Sequence, residues 1–223
     1  MRFAALLVGA YLLGSVPFGF LIATGHGIDL RKIGSGNIGA TNLARALGKR
    51  WAYLCFVLDL AKGLLPTVAA GFWLGDVSGA AGLWAWLAVG CAAVIGHIFP
   101  VYLRFKGGKG VATSFGVALG LWPYYTISAG VVLIVWIVFL LIWRYVSLAS
   151  LAGAIAFPVV LISAIALVPG WKVTQLWPLL IVSVCIPILV FIRHRENIVR
   201  LLAGTESKVF QKTKAQTAAR DNM

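Results

Sequence analysis

Long apolar runs broken by short basic loops constrain this chain more than any motif in it. The runs fall at about 3–24, 51–74, 81–103, 124–143, 147–168 and 175–192, with a shorter one at 111–122. The longer runs reach the ~20 residues that cross ~30 Å of hydrocarbon. The short one covers only ~18 Å at ~1.5 Å per residue. Lipid offers no water to an exposed N–H or C=O, so each run has to be helical. Charged residues make up 11% of the chain, against about a quarter in a soluble domain. The fold class expected is an all-α membrane protein, a polytopic bundle. One domain fills 1–204, and a polar basic tail follows over 205–223, its last ten residues expected to be disordered.

The net charge of +13 sits in the loops. Arg31, Lys32, Arg45, Lys49 and Arg50 follow the first run, and Arg104, Lys106 and Lys109 follow the third. Arg144 precedes the run at 147–168, and the tail carries Arg193, Arg195, Arg200, Lys208, Lys212, Lys214 and Arg220. Lys and Arg stay on the cytoplasmic side of a membrane. Seven crossings, N-terminus out and C-terminus cytoplasmic, put all of these inside and leave only Arg2 and Lys172 outside. If 111–122 did not cross, the basic tail would move outside. The short segment is therefore counted as a helix that tilts, extends into Lys109 and Gly110, or sits where the bilayer thins. Charge confined to short loops is not the footprint of a nucleic-acid binder. Cys55, Cys91 and Cys185 lie in apolar runs without CxxC or Cys/His spacing, so no disulfide framework, metal or other cofactor is expected. The first run follows only Met1 and Arg2, lacks a small-residue cleavage site, and is expected to be retained.

On this topology three polar stretches meet at the cytoplasmic face. The first is Gly34-Ser35-Gly36-Asn37-Ile38-Gly39-Ala40-Thr41-Asn42, followed by Arg45. Its glycines admit positive φ and close ligand approach. Successive N–H groups, and a helix starting near Asn37, would hold an anion. Ser35, Asn37, Thr41 and Asn42 add neutral donors, and Arg45 a fork matched to phosphate. The second stretch is Lys106-Gly107-Gly108-Lys109-Gly110, then Val111-Ala112-Thr113-Ser114. It is not a Walker loop, because the spacing fails. Topology explains its lysines but not its glycines. The third is His194-Arg195-Glu196-Asn197-Ile198-Val199-Arg200, then Gly204-Thr205-Glu206. If helical, His194, Asn197 and Arg200 share a face. A basic helix drawn to acidic lipid is the other reading and fits Arg193 and Arg195 better. Asp59 and Lys62, spaced i, i+3 inside a run, are read as a self-neutralising pair, and His97 as a packing residue. His26 gets no role.

These stretches, with Gly14–Gly19 (Gly-Ser-Val-Pro-Phe-Gly), Leu58–Gly63 and Gly96–Pro100, resemble in order the bacterial acyl-phosphate:glycerol-3-phosphate acyltransferases, the PlsY family. The similarity covers nearly the whole chain except the tail. It implies a seven-helix bundle in the bacterial inner membrane with a cytoplasmic site. It implies transfer of a fatty acyl group from acyl phosphate to the 1-hydroxyl of sn-glycerol 3-phosphate, giving lysophosphatidic acid and phosphate. The soluble enzyme that makes acyl phosphate is an implied partner; nucleic acid is not. By motif match, Arg45, Lys109, His194 and Asn197 hold glycerol 3-phosphate, while Ser35 and the backbone from Gly34 to Gly39 hold the acyl phosphate. Gly36, Asn37, Thr41, Asn42, Lys106, Gly107, Gly108 and Arg200 complete the expected binding set.

None of the histidines has an Asp at HxxxxD spacing, so a His–Asp dyad of that kind is excluded. Direct attack by the hydroxyl is expected, with the proton passing to a substrate phosphate oxygen or to His194. The acyl chain is expected in an apolar groove open to the bilayer. A transporter would place its binding groups near the midplane, where only Asp59 and Lys62 lie.

Overall fold

The computed structural model describes residues 1–209; the final stretch expected to be disordered lies outside them. The regular structure of the described residues is helical. The first apolar run, expected as one span, is divided into α1 (Arg2–Ser15) and α2 (Phe18–Gly25). Pro17 lacks an N–H and disfavours helical backbone in the residue before it, so the helix stops at Val16. The Val16 carbonyl accepts from Lys62 Nζ at 2.7 Å.

The short α3 (Ala40–Leu47) follows, then α4 (Lys49–Trp73) and α5 (Ala80–Ile98). After α5 come α6 (Val111–Gly120), α7 (Tyr124–Trp143), α8 (Val146–Leu167), α9 (Val173–Arg193) and α10 (Arg195–Leu202). The helix expected from Asn37 begins at Ala40 instead. Asn37 uses its Oδ1 to accept from Gly39 N at 2.9 Å, a local turn that competes with helix. Among the described residues six stretches are long and apolar enough to cross a membrane: Arg2–Gly25, Lys49–Trp73, Ala80–Leu103, Tyr124–Trp143, Val146–Leu167 and Val173–Arg193. α6 is shorter, with 10 residues. On α7, Ile134, Leu141 and Ile142 are more than 60% exposed, a surface suited to lipid and not to water.

Lipid tails are as apolar as the helices, so helix association depends on close packing around small residues. A Cβ on Gly63 of α4 would stand 2.2 Å from Thr113 O, one on Gly116 of α6 2.1 Å from Leu60 O, and one on Gly120 2.8 Å from Thr67 Cβ. Gly63 meets Thr113 and Thr67, one turn on, meets Gly120, so α4 and α6 run parallel. The start of α6 lies beside Gly63, about 20 Å along α4 from Lys49, and this draws Lys109 inward from the bundle end. α1 and α5 meet the same way but antiparallel: Gly14 faces Ala93 O and Gly96 faces Tyr11 O, at 2.2 and 2.3 Å from the added Cβ.

Gly63→Ala forces backbone apart and is expected to cost about 1–3 kcal/mol, read as a lower midpoint of thermal unfolding in detergent. Gly130→Ala, where a Cβ meets nothing within 4 Å, is expected to leave the midpoint unchanged or slightly raised. Equal behaviour of the two would refute the packing account.

Candidate active site

The loop before α3 is shaped from within. Asn42 is buried, and its amide is fully engaged: Oδ1 accepts from Ser35 N at 3.0 Å, and Nδ2 donates to Leu30 O at 3.1 Å and Ile33 O at 2.8 Å. Gly34 turns at φ +57° because any side chain there would meet Asn42 Oδ1. Gly36 N donates to Ile33 O at 3.0 Å. The N–H groups of Ser35, Gly36 and Gly39 are thus used inside the loop. This corrects the expected anion cradle: Asn42 shapes the loop and offers no spare donor, and the backbone donors left in this stretch are those of Gly34, Asn37, Ile38, Ala40 and Thr41. Ser35 is half-buried and Thr41 exposed. The Arg45 side chain packs beside Gly34, 3.6 Å from where a Cβ would stand.

The loop before α6 is also tied down. Gly107 N and Gly108 N each donate at 3.1 Å, to Ile98 O and His97 O at the end of α5. A Cβ on Gly108 would stand 2.2 Å from His97 Nε2, which is why glycine sits there. The carbonyls of Gly107 and Gly108 accept from Arg193 Nη2 at 3.3 and 2.9 Å. Gly107 and Gly108 therefore dock the loop and have no backbone group over for a ligand, contrary to expectation. The lysines part ways: Lys106 is exposed, whereas Lys109 is half-buried and donates to Asn197 Oδ1. Beneath the loop, Lys62 Nζ pairs with Asp59 Oδ1 at 2.7 Å and His97 Nδ1 lies 3.7 Å from the same oxygen. These buried groups join α4, α5 and the α1–α2 break, a structural role.

The third stretch closes the cluster. α9 ends at Arg193 and α10 turns away at His194, with His194 and Asn197 both buried. Glu206 then returns to receive Asn197 Nδ2 at 2.6 Å, Arg200 Nε at 2.7 Å and Ser147 Oγ at 2.8 Å. Burial alone would raise the Glu206 carboxyl, but these hydrogen bonds outweigh it and hold it below the usual carboxylate range. Burial lowers Arg45, against the pull of Glu206 and with the push of Arg200, so Arg45 lies within electrostatic reach of both. Burial lowers Lys109 to about 8, opposed by Glu206 and helped by Arg200 and Arg45. Burial, reinforced by Lys109, lowers His194 to about 4. Its Nδ1 lies 2.8 Å from Val190 O. A carbonyl only accepts, so Nδ1 carries the proton and Nε2 keeps a lone pair. Arg45, Lys109 and Arg200 against Glu206 leave a surplus of about two positive charges, the complement of a phosphate monoester dianion.

An apolar cavity of about 340 Å³ opens at Lys109 and runs between α5, α6, α7, α8 and α9. Among the described residues no group of His, Cys, Asp or Glu is arranged to hold a metal ion.

A family profile described as glycerol-3-phosphate acyltransferase matches residues 4–204. The chain belongs to the glycerol-3-phosphate acyltransferase family. A glycerol-3-phosphate acyltransferase of Geotalea daltonii is 44% identical over 204 residues, 91% of this chain and 95% of the relative. One of Aquifex aeolicus is 42% identical over 208 residues, 93% of this chain and 100% of the relative. The crystal structure of PlsY (YgiH), an integral membrane glycerol 3-phosphate acyltransferase in its glycerol 3-phosphate form, superposes with a TM-score of 0.81 at 41% identity, over 95% of this chain and 100% of that one. Its lysophosphatidic acid form gives 0.78 at 41%, over 93% and 95%. The chain is accordingly a multi-pass membrane protein of this acyltransferase family.

The structure brings Arg45, Lys109, His194, Asn197 and Arg200 of the expected site together. Glu206 stood at the end of the third stretch without a role, and Ser147 and Arg193 were missed as members of the site. Glu206 had a legible signal: it is one of 6 acidic residues in a chain of +13 and follows a stretch of cations. Ser147 and Arg193 had none, because their partners are backbone or distant in sequence. Glu206 raises Lys109, so Glu206→Gln in this acyltransferase is expected to move the alkaline limb of kcat/KM to lower pH. A limb that stays in place would separate Glu206 from Lys109.

Proposed function

We propose that the chain transfers a fatty acyl group from acyl phosphate to the 1-hydroxyl of sn-glycerol 3-phosphate, releasing lysophosphatidic acid and inorganic phosphate. The observation that carries this reading is the convergence of Arg45, His194 and Asn197 around Lys109, which itself lines an apolar cavity. A site that joins an anion to a lipid tail needs both. The substrate and product in the titles of the related PlsY structures agree with it.

Arg45 and Lys109 take the glycerol 3-phosphate, with Asn197 holding the Lys109 ammonium in place. Ser35, Asn37 and the first turn of α3 take the acyl phosphate, whose tail enters the cavity. Both substrates bring negative charge, and the surplus of cations brings them together before attack. The 1-hydroxyl oxygen attacks the acyl carbonyl carbon, the bond from that carbon to the phosphate oxygen breaks, and phosphate leaves. His194 Nε2 accepts the hydroxyl hydrogen bond and aims it. At about 4, His194 is roughly 100-fold weaker as a base than a phosphate dianion of pKa ~6. The proton therefore ends on a phosphate oxygen, with no acyl-enzyme and no metal.

Counting α6 with the longer spans gives seven crossings. The basic loops then face the cytoplasm of a bacterial inner membrane, with the N-terminus outside and the site within reach of a soluble acyl-phosphate-producing enzyme.

Purified protein given acyl phosphate and glycerol 3-phosphate is expected to release phosphate and product lipid in equal amounts, and neither acyl-CoA nor acyl carrier protein is expected to substitute. Arg45→Ala is expected to lose at least ~100-fold in kcat/KM with unchanged thermal unfolding, and Arg45→Lys to recover only part of it, lacking the fork. The pH profile is expected to fall above about 8, where Lys109 loses its charge, and below ~6, where the substrate phosphate gains a proton. An acid limb near 4 would assign the proton to His194, and near-normal Arg45→Ala activity would remove Arg45 from the site.

A further inference from the structure

The cavity has a floor. Resting on the reading that this cavity holds the acyl chain, we propose that Tyr125 and Phe157 act as a ruler that sets the longest chain able to seat fully.

The cavity follows α6 from Lys109, just before its first turn, to Leu121, just past its last. That distance is ~18 Å at ~1.5 Å per residue. Along α9 the lining runs from Val190 back to Val182, ~12 Å on the same measure. One leaflet of a bilayer with a ~30 Å core is ~15 Å deep, so the cavity is about as long as the acyl chain of a membrane lipid. Its mouth and floor are fixed by neighbours. α7 and α8 run antiparallel: Trp136 Nε1 donates to Ser150 Oγ at 3.3 Å near the mouth, where Ser147 meets Glu206, and Tyr125 meets Phe157 at the far end.

The floor is rigid. Tyr125 is 1% exposed, and its hydroxyl donates to Leu179 O at 2.6 Å. Its ring stands edge-on to Phe157, with centroids 4.9 Å apart. Leu121 is wholly buried and lines the same end. A buried hydroxyl that lost its acceptor would go unpaired, so the ring does not swing aside to admit more chain. The wall is different: Leu133 and Cys185 are exposed, and in a membrane that side faces lipid. A chain that overruns the floor has to bend out through this side or hold its phosphate short of Lys109. A chain that is too short leaves the floor end empty and forfeits dispersion contacts there.

The test measures kcat/KM for acyl phosphates from lauroyl to stearoyl. Phe157→Ala opens the floor, and the stearoyl-to-myristoyl ratio is expected to rise at least several-fold. Ala129→Leu projects into the cavity one turn nearer the mouth than Tyr125 on α7, and the same ratio is expected to fall. KM for glycerol 3-phosphate is expected to stay fixed in both. Phe157→Leu serves if Phe157→Ala does not fold. Cys91, half-buried in the wall, gives a readout of occupancy. In a Cys185→Ser background its alkylation by a maleimide is expected to be blocked by a non-hydrolysable palmitoyl phosphonate and not by glycerol 3-phosphate. Protection with altered ratios supports the ruler. Protection with ratios unchanged in both directions overturns the ruler and leaves the acyl site standing. No protection, with ratios unchanged, removes the acyl chain from this cavity and overturns both.

Discussion

Arg45, Lys109 and Arg200 are held together, partly out of water, with Glu206 as the acidic residue hydrogen-bonded among them in the described residues. Burying a cation and gathering like charges beside it both oppose folding, and burial, helped by Arg200 and Arg45, lowers Lys109 to about 8. The fold sustains the cluster because three segments distant in sequence are each anchored by something else. Asn42 fastens the first loop, the end of α5 and Arg193 fasten the second, and Glu206 fastens the third to α8. A phosphate dianion arriving among these cations meets preorganised charge and relieves the repulsion, so binding and electrostatic activation come from one arrangement.

Much of that anchoring depends on glycine used for proximity. Gly63 and Gly116 let α6 lie against α4, Gly14 and Gly96 let α1 lie against α5, and Gly107 and Gly108 let the lysine loop lie on His97. In lipid, where helices gain little by hiding apolar surface from one another, such contacts set where α6 begins and hence where Lys109 points. The buried Asp59–Lys62 pair belongs to the same framework. Lys62 reaches the Val16 carbonyl at the break before Pro17, and Asp59 lies against the histidine that Gly108 covers.

The sequence made the helices plain, because an apolar run of membrane length has little choice of structure. The seven apolar runs all recur as helix, within a few residues at most ends. The breaks were harder: Pro17 was visible, yet the run around it reads as one span until Lys62 is seen to satisfy Val16. At the site, Arg45, Lys109, His194 and Asn197 were legible as polar groups at the ends of apolar runs. The work of the glycines was misread. A glycine beside a lysine suggests a phosphate loop, and nothing local says that the N–H groups of Gly107 and Gly108 face the carbonyls of a helix end. Asn42 was misread for the same reason, since a buried amide with three partners and an exposed donor look alike in one dimension. Glu206 was visible at the end of the third stretch but had no readable role, because its partners lie on α8 and α10.

The measurement that tests this account most directly is a structure of the protein in a lipid environment with glycerol 3-phosphate bound. The account predicts one phosphate in contact with both Arg45 and Lys109, with the 1-hydroxyl on His194 Nε2 and pointing to the mouth of the apolar cavity. A phosphate held by one of these loops alone, or seated away from Lys109, would contradict it.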